Sequence, residues 1–180
     1  MTGSDVIATA ALVFAVASFY VLNALPGKLQ IVGEPRSFAF AATDKVHLTL
    51  PLVFTNSRPL ATIAINLRLR LDAPGFPRSL PFVATVDGIY SPKGRRDFAT
   101  AVVVQGRETR LICCEFISAP FDATGIKAGE VRAAVDAYVL RGWWRWRRTN
   151  WVTLVRFPVR LPKEAVEHRG QFIPYDNQAE

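Results

Sequence analysis

From Val46 onward the chain repeatedly alternates apolar and polar residues with a period of two. Val46, Leu48, Leu50, Leu52 and Phe54 share one face of a run whose other face carries His47, Thr49, Pro51 and Val53. Such alternation predicts a strand with one buried side. In residues 62–71 the pattern returns, with Ile63, Ile65, Leu67, Leu69 and Leu71 facing one way and Thr62, Ala64, Asn66, Arg68 and Arg70 the other. Residues 131–140 put Val131, Ala133, Val135, Ala137 and Val139 together. Residues 151–161 group Trp151, Thr153, Val155, Phe157, Val159 and Leu161 and send Arg156 and Arg160 outward. Further strands are predicted at 80–86, 97–104 and 109–118.

The breaks between these runs are rich in proline, glycine and charge, which makes them turns. Asn56–Pro59 (NSRP) predicts a hairpin-like connection, or its equivalent between the layers of a sandwich. Pro51 cannot donate to a ladder, so its strand is expected at an edge or with a bulge. No convincing helix separates the strands. The expected domain is therefore mainly β: an antiparallel, immunoglobulin-like β-sandwich over residues 37–162. Residues 163–180 are polar, beginning with a helical turn and ending frayed.

One segment departs from the alternation. Residues 6–25, VIATAALVFAVASFYVLNAL, contain no charge and precede Pro26-Gly27, which would end a helix. Twenty residues at about 1.5 Å each span roughly 30 Å, the thickness of a bilayer core. The stretch lacks the basic start and well-placed small residues of a cleaved signal peptide. Residues 1–26 are thus expected to be an uncleaved single-pass transmembrane anchor, and 27–36 a short juxtamembrane linker. Asp5 precedes the span, whereas Lys28, Arg36 and Lys45 follow it. That asymmetry predicts a cytoplasmic C-terminal domain. Cys113 and Cys114 are adjacent and have no other cysteine to pair with, which points the same way. An extracytoplasmic domain that binds a ligand or an envelope component is the alternative.

The span at 6–25 and the sequence VHLTLPLVFTNSRPLATIAINLRLRL at 46–71 resemble a class of bacterial proteins. In that class one N-terminal membrane helix, with little charge before it, leads into an immunoglobulin-like sandwich. The resemblance implies a fold and no activity.

Composition changes the picture mainly through charge. The chain carries 22 Lys and Arg against 15 Asp and Glu, a net charge of +7, with a mean hydropathy of +0.17 and a pI near 9.9. Candidate chemistry is sparse. His47 and His168 have no HExxH or CxxC company, so neither a metal nor a cofactor is expected. Motifs for a nucleophile elbow, a phosphate loop or a dinucleotide fold are missing, so no enzyme is expected. Glu115 and Asp136 are unusual carboxylates inside predicted strands. Asp136 shares a face with Arg132 and Tyr138, which predicts a surface ion pair. In a strand, one of the two cysteine thiols must face the core and the other outward.

The stretch GWWRWRRTNW, residues 142–151, holds all four tryptophans. It joins two predicted strands and so reads as a β-hairpin tip. Trp143, Trp144, Arg145, Trp146, Arg147 and Arg148 are the candidate contact residues. Their rings suit the head-group level of a membrane, and their guanidinium groups suit anionic phosphates. The rings could equally cap one end of the sandwich. The expected function is a non-enzymatic accessory, scaffold or interaction subunit at the membrane surface. Its expected partners are lipids, through residues 6–25 and the hairpin, and an integral membrane protein. A membrane-tethered nucleic-acid-binding module uses the same residue types, but the basic residues are scattered over several loops rather than confined to one groove, which disfavours it. No small-molecule substrate is evident.

Overall fold

A computed structural model describes residues 3–89, 95–141, 148–168 and 170–177. The apolar opening forms helix α1 (Gly3–Asn23), and every residue along it is at most half-buried. It is long and apolar enough to cross a membrane.

The remainder is mainly antiparallel β structure. In chain order the strands are β1 (Leu29–Ile31), β2 (Ser37–Ala42), β3 (Val46–Asn56), β4 (Thr62–Asp72), β5 (Ser79–Val86) and β6 (Arg96–Phe98). They continue with β7 (Val102–Val104), β8 (Thr109–Ile117), β9 (Gly129–Arg141) and β10 (Arg148–Leu161), then helix α2 (Lys163–Glu167) and β11 (Ile173–Asp176). Hydrogen bonding runs continuously in the order β10-β9-β4-β5-β8-β3-β2-β11. The sheet curls into a half-barrel rather than lying as two separately bonded layers. β5 makes the corner: its first residues pair with β4, Leu80 opposite Leu69, and its later ones pair with β8, Phe82 opposite Phe116. Inside the curl, Phe38, Phe40, Leu50, Leu52 and Phe54 from one half meet Leu67, Leu69 and Val135 from the other. All are almost wholly removed from water, and burial of this kind is the main favourable contribution to the fold.

Several expectations change in detail. The single strand expected at 97–104 is two short ones, β6 and β7, on different neighbours. The 27–36 stretch contains β1, whose Leu29 and Ile31 are buried against the end of β3. The polar tail does begin with a helical turn, α2, but then adds β11 to the edge of β2. Asn177 secures that edge: its amide nitrogen donates to the Pro35 and Pro158 carbonyls, and its Oδ1 accepts from the Arg160 backbone. Of the two connections expected at residues 56–59, the turn is the one that crosses between halves rather than a hairpin, because β3 and β4 lie on opposite sides of the curl. Pro51 is tolerated for a local reason. On one side β3 pairs with β8 throughout, but on the other β2 reaches only Thr49 and β1 starts at Phe54. Pro51 faces that gap, a short edge within an otherwise internal strand.

Two bulges reverse the expected facing of residues. One lies between Ala64 and Asn66 of β4, the other between Thr153 and Val155 of β10. An extra residue in a strand turns everything beyond it to the other side. Thr62 and Ala64 therefore point inward while Ile63 and Ile65 are exposed, and Trp151 and Thr153 leave the face of Phe157 and Val159 for the outside.

Candidate membrane-facing end and basic sheet face

Two regions of the domain have features beyond packing. The first is the end of the half-barrel where α1 arrives. Arg107, at positive φ in the turn between β7 and β8, donates from Nη2 to the Leu22 carbonyl at 2.6 Å. A cation there complements the negative end of the helix. Leu60 N–H donates to the Leu25 carbonyl, and Lys28 N–H to Asn56 Oδ1. Asn56 is fully buried, and its amide nitrogen donates to the Leu60 and Gln105 carbonyls while Oδ1 also accepts from Arg58 N–H. One side chain thus binds the β3–β4 turn, the β7–β8 turn and the chain leaving α1. Backbones approach so closely here that a Cβ on Gly27 would lie 2.6 Å from the Leu60 carbonyl oxygen. The helix is held by the domain rather than swinging on a free linker.

The six residues 142–147 lie outside the described residues, and with them the candidates Trp143, Trp144, Arg145, Trp146 and Arg147. Arg148 is described as the first residue of β10, without its side chain. The flanks of the segment are informative. Arg141 is opposite Arg148, and Val139, two residues before Arg141, is opposite Ala64 near the start of β4. Gly27 packs against Thr62, the first residue of that strand. The strands bearing the Trp/Arg stretch therefore end at the same end of the sheet as α1. Lys28 and Arg107 are exposed there, as are Leu60 and the bulge-displaced Ile63, which faces Val103 across the ladder.

The second region is the outer face of β4, β9 and β10. Asp136 is opposite Arg68 on one side and Thr153 on the other. Its carboxylate accepts from Arg68 Nε at 2.9 Å, Arg70 Nε at 2.6 Å, Arg70 Nη2 at 3.0 Å and Thr153 Oγ1 at 2.8 Å. The Asp136 side chain is 3% exposed, against 35% for Arg68 and 44% for Arg70. Burial pushes the carboxyl pKa up, but the hydrogen bonds from Arg70, Thr153 and Arg68 and the charge of Arg70 together outweigh it and hold it below its ordinary value. The same bond and charge raise that of Arg70. Arg68 also lies 4.2 Å over the Trp151 ring, which packs on Tyr138 at 5.4 Å between centroids. The expected ion pair of Asp136 thus exists, but with two arginines of the neighbouring strand and not with Arg132. Spacing along the chain could not reveal it, since the partners meet only through the β4–β9 register.

Elsewhere, Glu115 is buried, with Oε1 accepting from Arg96 Nη2 at 2.6 Å. Its Oε2 and the hydroxyl of Thr49, directly opposite, have no partner. His47, two residues along, is half-buried, and burial lowers its pKa while the Glu115 charge works the other way. Cys114 points into the core and Cys113 outward, half-buried. Burial raises both thiol pKa values, which disfavours the reactive thiolate at neutral pH. His168 is exposed. Among the described residues no group of three or more His, Cys, Asp or Glu could hold a metal.

The chain thus joins an apolar N-terminal helix to a curled, mainly antiparallel β domain. No family model matches it, and no curated protein matches it. Among solved structures, a protein from Archaeoglobus fulgidus is similar over 74% of this chain and 98% of its own, at 7% identity and a TM-score of 0.39. So loose a likeness bears on neither fold nor role.

Proposed function

We propose that this protein is a single-pass, membrane-anchored interaction module. It acts by binding at the membrane surface, as an accessory or scaffold subunit, rather than by catalysis. The observation that carries the reading is the shared end of the domain: α1 leaves from it, and β9 and β10 end at it, at Arg141 and Arg148. If α1 crosses a bilayer, the domain cannot drift from that surface, because Arg107, Leu60 and Asn56 clamp its junction. Tryptophan at head-group depth and arginine against lipid phosphate are then the natural contacts. A cytoplasmic domain follows from the charge asymmetry about the span. The finer description of the domain as immunoglobulin-like is supported by the passage of β3 over to β4 in the opposite half.

The test replaces Trp143, Trp144 and Trp146 together by alanine in the domain lacking residues 1–25, provided that this fragment unfolds cooperatively. Co-sedimentation with phosphatidylglycerol vesicles is expected to fall about tenfold or more, since each interfacial ring and each nearby cation contributes on the order of 1 kcal/mol, with the unfolding midpoint nearly unchanged. Unchanged sedimentation together with a large loss of stability would mean that the rings cap the barrel instead. Binding to single-stranded oligonucleotides that falls steeply with salt and exceeds vesicle binding would favour a nucleic-acid role.

A further inference from the structure

Beyond Asp136, on the side away from α1, the outer face of β4, β9 and β10 opens into a cavity of about 720 Å³. The register shows its origin. Arg70, Ala134 and Arg156 form one row across the three strands, so a methyl group stands between two arginines where the neighbouring rows of β9 carry Asp136 and Arg132. The missing side-chain volume is the floor. Arg132 and Arg78 complete the walls, and Asp72 and Glu130 stand among the lining residues. Four arginines against two carboxylates leave this lining with two positive charges in excess.

The arginines differ in state. Arg70 is held in place by two hydrogen bonds to Asp136 and one to Thr153. Among the described residues, Arg78, Arg132 and Arg156 enter none of the ion pairs, although all three are exposed. Asp136 therefore satisfies and orients one guanidinium from beneath, while three others around the same hollow retain their full donor capacity. A volume in the range of small-molecule sites, lined by guanidinium groups on rigid strands, is suited to an anion that accepts several charge-assisted hydrogen bonds.

We propose that this hollow binds a phosphate-bearing anion, with Arg70 as the fixed donor and Arg78, Arg132 and Arg156 closing on it. The chemistry is shared by a soluble polyphosphorylated solute and a phosphorylated lipid head group. The position favours the soluble source: from Ala64, at the α1 end, to Arg70 is six residues, about 20 Å along the strand, well beyond the roughly 8 Å over which exposed charges act at physiological salt. The site itself does not depend on the proposed membrane role; only the preference for a soluble source rests on it.

The experiment is calorimetric titration of the full chain, in neutral detergent at 0.15 M salt, with inorganic tripolyphosphate. In parallel, neutral bicelles with and without phosphatidylglycerol supply the head-group arm. Saturable binding is expected, weakened about tenfold or more by Arg156→Gln, as the loss of one charge-assisted contact implies, and likewise by Ala134→Leu, which fills the floor without altering charge. Arg36→Gln, equal in charge but outside the hollow, is expected to leave it unchanged. Tripolyphosphate binding with this pattern establishes a soluble phosphate ligand. Binding of the phosphatidylglycerol bicelles alone, lost in Ala134→Leu, establishes the same site with a lipid source. No saturable binding in either arm, equal weakening by Arg36→Gln, or wild-type binding by Ala134→Leu would each overturn the proposal. Arg156→Gln and Ala134→Leu alter only the outer sheet face, and matched unfolding midpoints separate a binding defect from a folding one.

Discussion

Replacing Asp136 by alanine is expected to destabilise the domain by about 2–4 kcal/mol at neutral pH. The carboxylate is nearly fully buried and accepts three hydrogen bonds from two arginines and one from Thr153. Removing one partner of a buried ion pair costs about 3–5 kcal/mol. Here that figure must be reduced, because Arg68 and Arg70 are more than a third exposed and can turn to water. Asp136→Asn keeps the shape and one acceptor oxygen, so about half of the loss is expected. The assay is urea unfolding of the full chain in neutral detergent, followed by tryptophan fluorescence at several pH values. The folded carboxyl has a pKa below its ordinary 3.8. Its stabilisation is therefore fully present above pH 3.8 and is lost as pH falls from there through the folded value. The gap between wild type and Asp136→Ala should be constant from pH 7 to 5 and shrink below 3.8. A cost under about 0.5 kcal/mol at pH 7, the usual range for a surface change, or a gap that does not narrow in acid, would refute the electrostatic account.

Two further outcomes follow from buried groups. Asn56→Ala removes the amide that joins both turns to the exit of α1, and is expected to cost about 2–4 kcal/mol by stranding backbone groups; native-state hydrogen exchange should then show faster opening at Lys28 and Arg58, and unaltered exchange there would contradict the clamp. His47 has a lowered pKa because burial disfavours its charged form, so the unfolded chain takes up the proton first and stability should decline as pH falls below 6.5. In His47→Gln that decline should be smaller, as measured by unfolding midpoints across the same range; an identical pH profile would rule out His47 as its source.

The division between sequence and structure is clear in particular residues. The uncharged run 6–25 and the strict alternation in 46–54 and 131–140 are local properties: a helix and a half-buried strand each impose their own period on the residues that form them. They were legible without any fold. Strands β1, β2 and β11 were not, because short segments take their structure from the edge they pair with and carry little periodicity themselves. Nor was the outward turn of Ile63 and Trp151, since a bulge costs one residue of register and leaves composition untouched. The Trp/Arg stretch was visible as a composition, but only the pairing of Val139 with Ala64 shows that its strands end beside α1. Likewise, nothing in the order of residues relates Arg68 and Arg70 to Asp136, or sets Ala134 between Arg70 and Arg156. Those relations span β4, β9 and β10, and cross-strand neighbours are chosen by the register of the folded sheet. The sequence by itself determined the apolar helix and a basic, strand-built domain; the tertiary structure alone decided which charges meet, because that contact is made across chains of residues that are distant until the sheet closes.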